Sequence, residues 1–446
     1  MKKLTHFFLV LVMTMVIVGP VMAEGASESD GESSEPVELR FMLWDSIQRD
    51  AYETSLAIFE EDNPGIDVTI DLAGWSQYWP KLQTEMASGT AADIFWNQIQ
   101  YFPTFLENEV MTDLMPYIER DDIDLSKYDQ TVLGLFEDDG KLYTITKDRD
   151  AIVLIYNKDL FDEVGLPYPD GSMDWNPEDG GSYLETAQQL TLDENGNNAT
   201  DSDFDPTNIV QYGAYSANWD QPFYWNFMAM NGGGVQAEPL SDTFLLDEPE
   251  TIEAMQFLAD LIHEHNVAPA TSATQSSSGD ARQTFYTGRI GMITDGNWAL
   301  SAYLENANFD WGVAPLPTGP EGRMSVTNGI GEAMYAGSDH KEEAWTVLKW
   351  FAGEETHRVF ANTGKVLSSM KEMAPLYVDY WESEGLDTSP VIETLNGTTV
   401  LSPSTPYWNE IRASIVKNYD LLFLGETDAE TAGDNIMRDI QDIIDN

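Results

Sequence analysis

From Val37 onward the chain alternates short apolar runs, which suit β-strands, with longer segments whose apolar residues recur at helical spacing. The intervening helical segments contain, for example, Leu56 and Phe59, and then Leu82 and Met86. A strand, helix, strand, helix, strand order predicts an α/β domain with a largely parallel sheet. The three apolar runs are VELRFML (37–43), IDVTIDL (66–72) and DIFW (93–96).

The same alternation continues to the end of the chain. The chain has 446 residues, more than one hydrophobic core usually serves, so two or more domains are expected. Further strands are predicted at 151–157, 289–294 and 310–317. Further helices are predicted at 182–190, 251–265, 341–351 and from Tyr407 onward.

Tryptophans with polar neighbours fall where several of the predicted strands end. In open α/β sheets, ligands bind beyond the carboxyl ends of the strands. A sugar ring stacks its C–H faces on tryptophan, and its hydroxyls suit amides and carboxylates. The pattern predicts a sugar site, although any one of these tryptophans could equally be a core residue. The residues are Trp44 with Asp45 and Gln48, Trp96 with Asn97 and Gln98, and Trp298.

The first 36 residues have the composition of an export signal followed by a tether. Lys2 and Lys3 precede an apolar run at 7–18, which is too short to span a bilayer, and small residues lead to Ala23. We therefore expect a signal peptide at 1–23, cleaved near Ala23. Residues 24–36 are small and acidic and predict a disordered tether.

The chain contains no cysteine. This excludes disulfides, thiol catalysis, cysteine metal sites and a lipid-modified cysteine. Together with the signal pattern, it predicts an exported protein without an anchor. We expect that protein to be periplasmic, because an unanchored binding protein is useful only where an outer barrier retains it.

The formal charge of the chain is −55. So large an acidic excess argues against nucleic acid and against anionic membrane surfaces as partners. A salt-adapted surface explains the excess most simply, and a specific cationic ligand is the alternative.

Sequence motifs for catalysis or metal binding are absent or weak. No G-x-S-x-G, H-E-x-x-H or phosphate-loop motif occurs. The acidic stretch 193–205 has its glycine at the fourth position rather than the sixth, so it fails as an EF-hand loop. An acidic surface turn is the interpretation of this stretch, with calcium binding as an alternative. No catalytic residue, metal site or cofactor is predicted.

Six segments in order resemble the family 1 extracellular solute-binding proteins of ABC sugar importers, the group that contains maltose-binding protein. The resemblance implies two α/β lobes, each with a mixed, mainly parallel sheet flanked by helices, and a ligand cleft between the lobes that closes about a hinge. It implies one lobe from 37–148 plus about 327–370, and a second from 149–326 plus about 371–446. The segments are ASGTAADIFW (87–96), IYNKDLFDEVGLP (155–167), NFMAMNGG (226–233), GRIGM (288–292), WGVAPLPTGP (311–320) and HKEEAWTVLKWF (340–351).

The same resemblance suggests individual sugar contacts. It suggests Trp96, Trp298 and Trp408 as stacking partners and Trp44 as a match by position, with Asp45 and Gln48 placed more loosely. Ile99 and Gln100 replace the acid and base of the family's sugar-contacting segment, which speaks against maltose itself. The remaining contacts implied are Asp150, Gln221 and Phe223.

Four charged residues, Lys147 to Asp150, run directly into the apolar strand at 151–157. The resemblance places this run at the crossing between the lobes, on the floor of the cleft. Asp150 would then accept hydrogen bonds from sugar hydroxyls. Arg149 either pairs with a neighbouring acid or serves as the one obvious cation for a charged ligand.

The expectation is therefore the substrate-binding component of an ABC importer. Its partners would be a sugar or oligosaccharide and the membrane permease subunits of the importer, with no nucleic acid, and it would be a monomer. Two alternatives stay open: a secreted carbohydrate-active enzyme, and a binding protein for a sugar phosphate or another polar solute.

Overall fold

The computed structural model describes residues 35–270 and 278–445, apart from the side chains of 278–280. The predicted signal peptide at 1–23 and the tether at 24–36, except for its last two residues, lie outside the described residues. Among the residues that are described, no helix is both long and apolar enough to cross a membrane.

Two separate five-stranded sheets form the centres of two lobes. The first sheet has the spatial order β2 (Ile66–Leu72), β1 (Val37–Leu43), β3 (Ile94–Gln98), β13 (Ile330–Met334) and β6 (Thr144–Thr146). The second has the order β11 (Trp311–Ala314), β7 (Ile152–Asn157), β10 (Ile290–Gly296), β9 (Ile209–Ala214) and β8 (Leu192–Asp193). Two further pairs are β4 (Glu137–Asp138) with β5 (Lys141–Leu142), and β12 (Met324–Thr327) with β14 (Thr398–Leu401).

Both sheets are mixed, as expected, but the expectation that they are mainly parallel is wrong. Strand β1 pairs in parallel with β2 and β3, and β9 with β10. The other neighbours in the two sheets are antiparallel. The reason lies in the strands that enter each lobe. Strands β7 and β13 start at the crossing and run away from it, so they oppose neighbours such as β3 and β10, whose carboxyl ends face it.

The helices mostly follow the bounds expected from apolar spacing. Three-residue 3₁₀ turns lie at Leu125–Lys127, Gly134–Phe136, Asn297–Ala299 and Lys371–Met373, and a π-helical turn at Asp220–Tyr224. The α-helices of the described chain are α1 (Ser46–Asp62), α2 (Trp75–Ser88), α3 (Phe102–Glu107), α4 (Met115–Arg120), α5 (Gln130–Leu133), α6 (Lys158–Val164), α7 (Gly181–Leu190), α8 (Trp225–Met230), α9 (Pro249–His263), α10 (Ser278–Tyr286), α11 (Leu300–Asn306), α12 (Lys341–Phe351), α13 (Glu354–Asn362), α14 (Ala374–Ser383), α15 (Ser389–Asn396), α16 (Trp408–Phe423) and α17 (Ala429–Ile444).

Helices α1 and α2 each begin directly after a strand of the first sheet, and this brings their first turns to one edge of that sheet. The carboxylate of Asp45 accepts hydrogen bonds from the backbone N–H groups of Ile47 (2.7 Å) and Gln48 (3.3 Å), so it caps α1. Helix α2 ends at Gly89, whose φ of +73° suits glycine. The residues between strand and helix therefore lie at the carboxyl ends of β1 and β2.

The chain passes from one sheet to the other between β6 and β7, and returns between β12 and β13. The outgoing segment is anchored by backbone hydrogen bonds, from Arg149 N to Leu367 O (2.8 Å) and from Ser369 N to Lys147 O (3.0 Å). The boundary expected near 148 lies in the outgoing connection, and the one expected near 327 lies at the end of β12, just before the returning connection. The full division of the chain into lobes stays a prediction.

Candidate ligand-binding cleft

A cavity of about 540 Å³ is lined by residues of both lobes. This volume is within the range of typical ligand sites. Its walls combine the carboxyl ends of β1 and β3, the first turns of α1 and α2, the outgoing crossing, the π-helical turn and the first turns of α16. The lining residues are Trp44, Asp45, Ser46, Ile47, Gln48, Trp75, Ser76, Trp79, Pro80, Trp96, Gln98, Tyr101, Asp148, Asp150, Trp219, Asp220, Gln221, Pro222, Arg282, Trp298, Asn328, Ile330, Asn409 and Arg412.

The structure brings most of the predicted site residues to this cavity. The eight that line it are Trp44, Asp45, Gln48, Trp96, Gln98, Asp150, Gln221 and Trp298.

The other three predicted residues, Asn97, Phe223 and Trp408, are buried away from the cavity lining. Asn97 donates to Thr144 Oγ1 at 3.0 Å, since neighbouring residues of a strand point to opposite faces of the sheet. Phe223 packs with its ring centre 5.3 Å from that of Phe227. Trp408 is packed against other side chains, although Asn409 and Arg412 on the same helix line the cavity.

One wall of the cavity is an aromatic cluster. The ring of Trp44 packs edge to face on Trp75 (5.3 Å between centres) and on Trp96 (4.7 Å). Trp79 stacks on Tyr101 with 3.5 Å between ring centres and 11° between ring planes. Aromatic walls of this kind suit the C–H faces of a sugar ring.

Sequence reasoning missed four aromatic residues of the lining, namely Trp75, Trp79, Tyr101 and Trp219. Trp75 could have been found, because it follows β2 just as Trp44 follows β1. Trp79 lies at helical spacing from Leu82 and Met86, which indicates a helix but not a ligand contact. Tyr101 and Trp219 carry no comparable signal, since both lie in connections whose course depends on tertiary contacts.

Trp96 lines the cavity yet is fully buried. Its indole N–H donates to the hydroxyl of Tyr52 at 3.1 Å, and that hydroxyl in turn donates to Glu332. The ammonium of Lys147 lies 4.5 Å from the centre of the Trp96 ring, which is a cation–π contact. By contrast, Trp44, Trp75 and Trp298 are only half-buried.

Asp150 is a buried carboxylate at the cavity, held by neutral donors. One oxygen, Oδ1, accepts from Thr327 Oγ1 (2.5 Å) and from Asn328 N (2.8 Å), and Oδ2 accepts from Gln221 Nε2 (2.8 Å). Burial raises the pKa of Asp150 to about 7, and the nearby charge of Asp148 adds to the effect. The charged form of Asp150 is therefore poorly compensated by the protein.

The contact to Asp150 fixes the orientation of two amide side chains. A carboxylate only accepts hydrogen bonds, so Gln221 must direct its NH₂ group to Asp150 and its carbonyl oxygen to Asn328 Nδ2. The side-chain oxygen of Asn328, Oδ1, then has no hydrogen-bond partner among the described residues. The π-helical turn that holds Gln221 is fixed by Asn226, which donates to Gln221 O at 2.6 Å.

Asp148 and Lys147 form a buried ion pair beside the cavity. Lys147 Nζ also donates to Gln48 Oε1 at 2.8 Å. Burial raises the pKa of Asp148, and the charge of Lys147 opposes that shift. The ion pair occupies Asp148 Oδ2, whereas Asp148 Oδ1 accepts no hydrogen bond from any described residue.

The arginines that line the cavity are not the one that the sequence suggested. Arg149 is paired with Asp129 (3.7 Å), which confirms the acid-partner hypothesis, and it does not line the cavity. The view that Arg149 is the one obvious cation of the cleft is therefore wrong, because Arg282 and Arg412 line it. Both sit beside carboxylates brought near by the fold rather than by sequence spacing alone.

Each arginine of the lining is already engaged by a carboxylate. Arg282 makes two hydrogen bonds to Asp295, from Nε (2.6 Å) and from an NH₂ group (3.0 Å). Arg412 binds Asp220 Oδ2 through Nε (3.0 Å) and an NH₂ group (2.7 Å). These guanidinium groups therefore bring little uncompensated positive charge to the cavity.

The acidic turn at 193–205 folds around the carboxylate of Asp193. Its Oδ1 accepts from the backbone of Asn195 (2.8 Å) and of Asn197 (2.9 Å), and its Oδ2 from Asn197 Nδ2 (3.0 Å) and Asp205 N (3.0 Å). Within 35–270 and 278–445, no group of three or more His, Asp or Glu residues is placed to hold a metal ion.

The family model described as bacterial extracellular solute-binding protein matches residues 44–357 of the chain. The chain belongs to this family. Two solved structures related to this solute-binding protein share its two-lobed fold. UspC of M. tuberculosis is 30% identical, with a TM-score of 0.73, over 91% of this chain and 100% of that one. The substrate-binding protein Lmo0181 of Listeria monocytogenes, in complex with cycloalternan, is 26% identical with a TM-score of 0.80, over 92% and 99%.

A curated relative is similar in sequence to this solute-binding protein over about two thirds of the length of each protein. The arabinooligosaccharide-binding protein of Halalkalibacterium halodurans is 25% identical over 321 residues, which are 70% of this chain and 66% of the relative.

Proposed function

We propose that this solute-binding protein is the sugar-binding component of an ABC importer, which captures a sugar or oligosaccharide and delivers it to the membrane permease. The observation that carries the proposal is the cavity itself. It brings half-buried tryptophans together with carboxylate and amide groups in one lining, and a sugar ring uses both kinds of group. Relatives named for arabinooligosaccharide and for maltotriose support the ligand class.

In this proposal the ring of the sugar stacks on Trp44, Trp75 or Trp298, and its hydroxyls bind Asp150 and Gln98. The side-chain carbonyl oxygen of Gln98 is buried and has no hydrogen-bond partner in the described chain, and a sugar hydroxyl would satisfy it. Because the cavity draws residues from both lobes, a ligand bound there would favour the closed arrangement of the lobes. The crossing segments next to Asp150 would then act as the hinge.

The proposal extends to location and assembly. Membership of an extracellular solute-binding family supports export, and we infer a periplasmic monomer with its signal peptide removed near Ala23. Cell fractionation tests the location, and light scattering of the purified protein tests the monomer.

A thermal-shift screen of mono- to tetrasaccharides, followed by calorimetric titration of those that raise the melting temperature, tests the sugar-binding function. We expect at least one sugar to bind with a micromolar or lower Kd, about −8 kcal/mol or stronger. Glycerol at the same concentration controls for nonspecific stabilisation. Binding of none of the sugars would contradict the proposal. Release of reducing ends from a bound oligosaccharide would instead indicate a carbohydrate-active enzyme.

A further inference from the structure

We propose that the sugar taken by this cavity carries a protonated amine, which binds at Asp148 and Asp150. This inference rests on the proposed sugar-binding function and narrows its ligand class.

The first observation is a group of three unused acceptor positions on cavity-lining side chains of the two crossings between the lobes. Asp148 Oδ1 and Asn328 Oδ1 are buried and accept no hydrogen bond from the described residues. Asp150 Oδ2 accepts one, from Gln221, and a carboxylate oxygen can accept about two. All three unused positions are acceptors. An ammonium group has three N–H donors and no acceptor, so it matches them, whereas a hydroxyl supplies one donor.

The geometry of the crossing explains why the two acids converge. Asp148 and Asp150 are two positions apart in an irregular extended segment, and both line the cavity. Arg149, between them, is directed instead to Asp129. This alternation places two carboxylates on the ligand side of the crossing and removes the intervening cation from it.

The second observation is the charge around the cavity. The lining side chains and their direct ion-pair partners carry five carboxylates and three cations, which leaves a formal charge of −2. The carboxylates are Asp45, Asp148, Asp150, Asp220 and Asp295, and the cations are Lys147, Arg282 and Arg412. An excess of negative charge around a cavity favours ligands that carry positive charge.

Asp150 is the member of this set that most needs a cation. It is buried, and the groups that donate hydrogen bonds to it, from Thr327, Asn328 and Gln221, are all neutral. Burial raises its pKa to about 7, so a positive charge beside it would stabilise the ionised form. The protein already binds an ammonium group beside this position, because Asp148, Gln48 and the Trp96 ring contact the ammonium of Lys147.

Anionic sugars fit the same cavity poorly. A phosphate or uronate would need free guanidinium or ammonium groups, and those of the lining are engaged by Asp220 and Asp295. It would also approach a chain whose formal charge is −55.

The test compares hexoses that share a ring and differ in charge: glucose, galactose and mannose, their 2-amino forms and their uronates. Each is titrated calorimetrically at pH 7 and one salt concentration. We expect the 2-amino form of at least one series to bind tenfold or more tightly than its neutral parent, and the uronates to bind most weakly. A neutral sugar or uronate that binds as tightly as its amino form would overturn the inference.

Absence of binding by all three aminohexoses would also overturn it. Binding of neutral oligosaccharides in the earlier screen would still support the sugar-binding function, so the two claims can fail separately.

Asp150→Asn tests the assigned residue. It removes the charge but keeps an oxygen acceptor, so we expect at least a tenfold loss of aminohexose affinity and a smaller loss for neutral sugars. Asp203→Asn is the matched control, because Asp203 is exposed on the turn after β8 and does not line the cavity. Equal losses in the two variants would contradict the role of Asp150. An apo melt of each variant checks folding, and the wild-type series decides the inference if Asp150→Asn does not fold.

Discussion

The ammonium of Lys147 lies 4.5 Å from the centre of the Trp96 ring, so a cation of the protein itself covers one face of that tryptophan. Trp96 is fully buried, and its indole N–H is bonded to Tyr52. The ring therefore holds the Lys147–Asp148 pair in place at the cavity. The half-buried Trp44 and Trp298 offer more open surface for a sugar.

Lys147→Met should destabilise the protein strongly. The substitution keeps much of the side-chain volume but leaves Asp148 buried without its cation, which costs about 3–5 kcal/mol of unfolding free energy. Urea unfolding measures the loss. Lys127→Met is the control, because Lys127 pairs with Glu354 at the exposed surface and its loss should matter little. Similar losses in the two variants would contradict the importance of the buried pair.

Glu332→Gln should change how stability depends on pH. Burial raises the pKa of Glu332 to about 7, whereas the ordinary value is 4.5. The folded state thus holds its proton more tightly than the unfolded chain, and the carboxyl costs the wild type stability progressively as pH rises from about 4.5 to about 7. A glutamine stays neutral and carries no such cost. The unfolding free energy of the variant relative to the wild type should therefore rise between pH 5 and pH 8.

Unfolding free energies of both proteins at these two pH values provide the measurement. Other titrating groups, such as the buried His357, contribute alike to both proteins and cancel in the difference. Glu194→Gln, at an exposed position, should show no comparable change. A difference between wild type and Glu332→Gln that stays constant with pH would refute the assignment.

Salt should stabilise the folded protein. A formal charge of −55 produces self-repulsion, and salt shortens its range from a Debye length of roughly 30 Å at 0.01 M to about 3 Å at 1 M. We expect the melting temperature to rise across this range of sodium chloride. A flat or falling curve would count against a salt-adapted surface.

Trp408→Ala should act first on stability. The Trp408 side chain is buried and does not line the cavity. Its ring centre lies 5.9 Å from that of Trp225. Truncating a buried tryptophan to alanine costs about 3–5 kcal/mol. Urea unfolding of the ligand-free variant measures this cost. If the variant keeps wild-type stability but loses sugar affinity, Trp408 is a ligand contact, as the family resemblance implies.

Strands could be predicted from the sequence where apolar and polar residues alternate regularly. The predicted strands 37–43 and 66–72 coincide with β1 and β2, because apolar and polar residues alternate along most of each run. Strand direction could not be read in the same way. Whether β13 runs with or against β3 depends on where the returning chain enters the sheet, and no local pattern records that.

The site could be predicted where strand ends determine it. Trp44, Asp45 and Gln98 reach the cavity because they follow or close strands whose ends meet at one edge. The pairing of Arg412 with Asp220 joins residues 192 positions apart. With 77 acidic residues in the chain, sequence spacing could not single out that partner.

The most direct test of a sugar site in this cavity is a calorimetric titration of Trp298→Ala with the sugar that binds the wild type best. Trp311→Ala is the matched control, because Trp311 is also half-buried but does not line the cavity. Loss of an aromatic anchor commonly costs about 2 kcal/mol or more of binding, which is over tenfold in Kd. We predict that loss for Trp298→Ala with a nearly unchanged ligand-free melting temperature, and wild-type affinity for Trp311→Ala. Wild-type affinity in Trp298→Ala, or an equal loss in both variants, would contradict the assignment of this cavity as the sugar site.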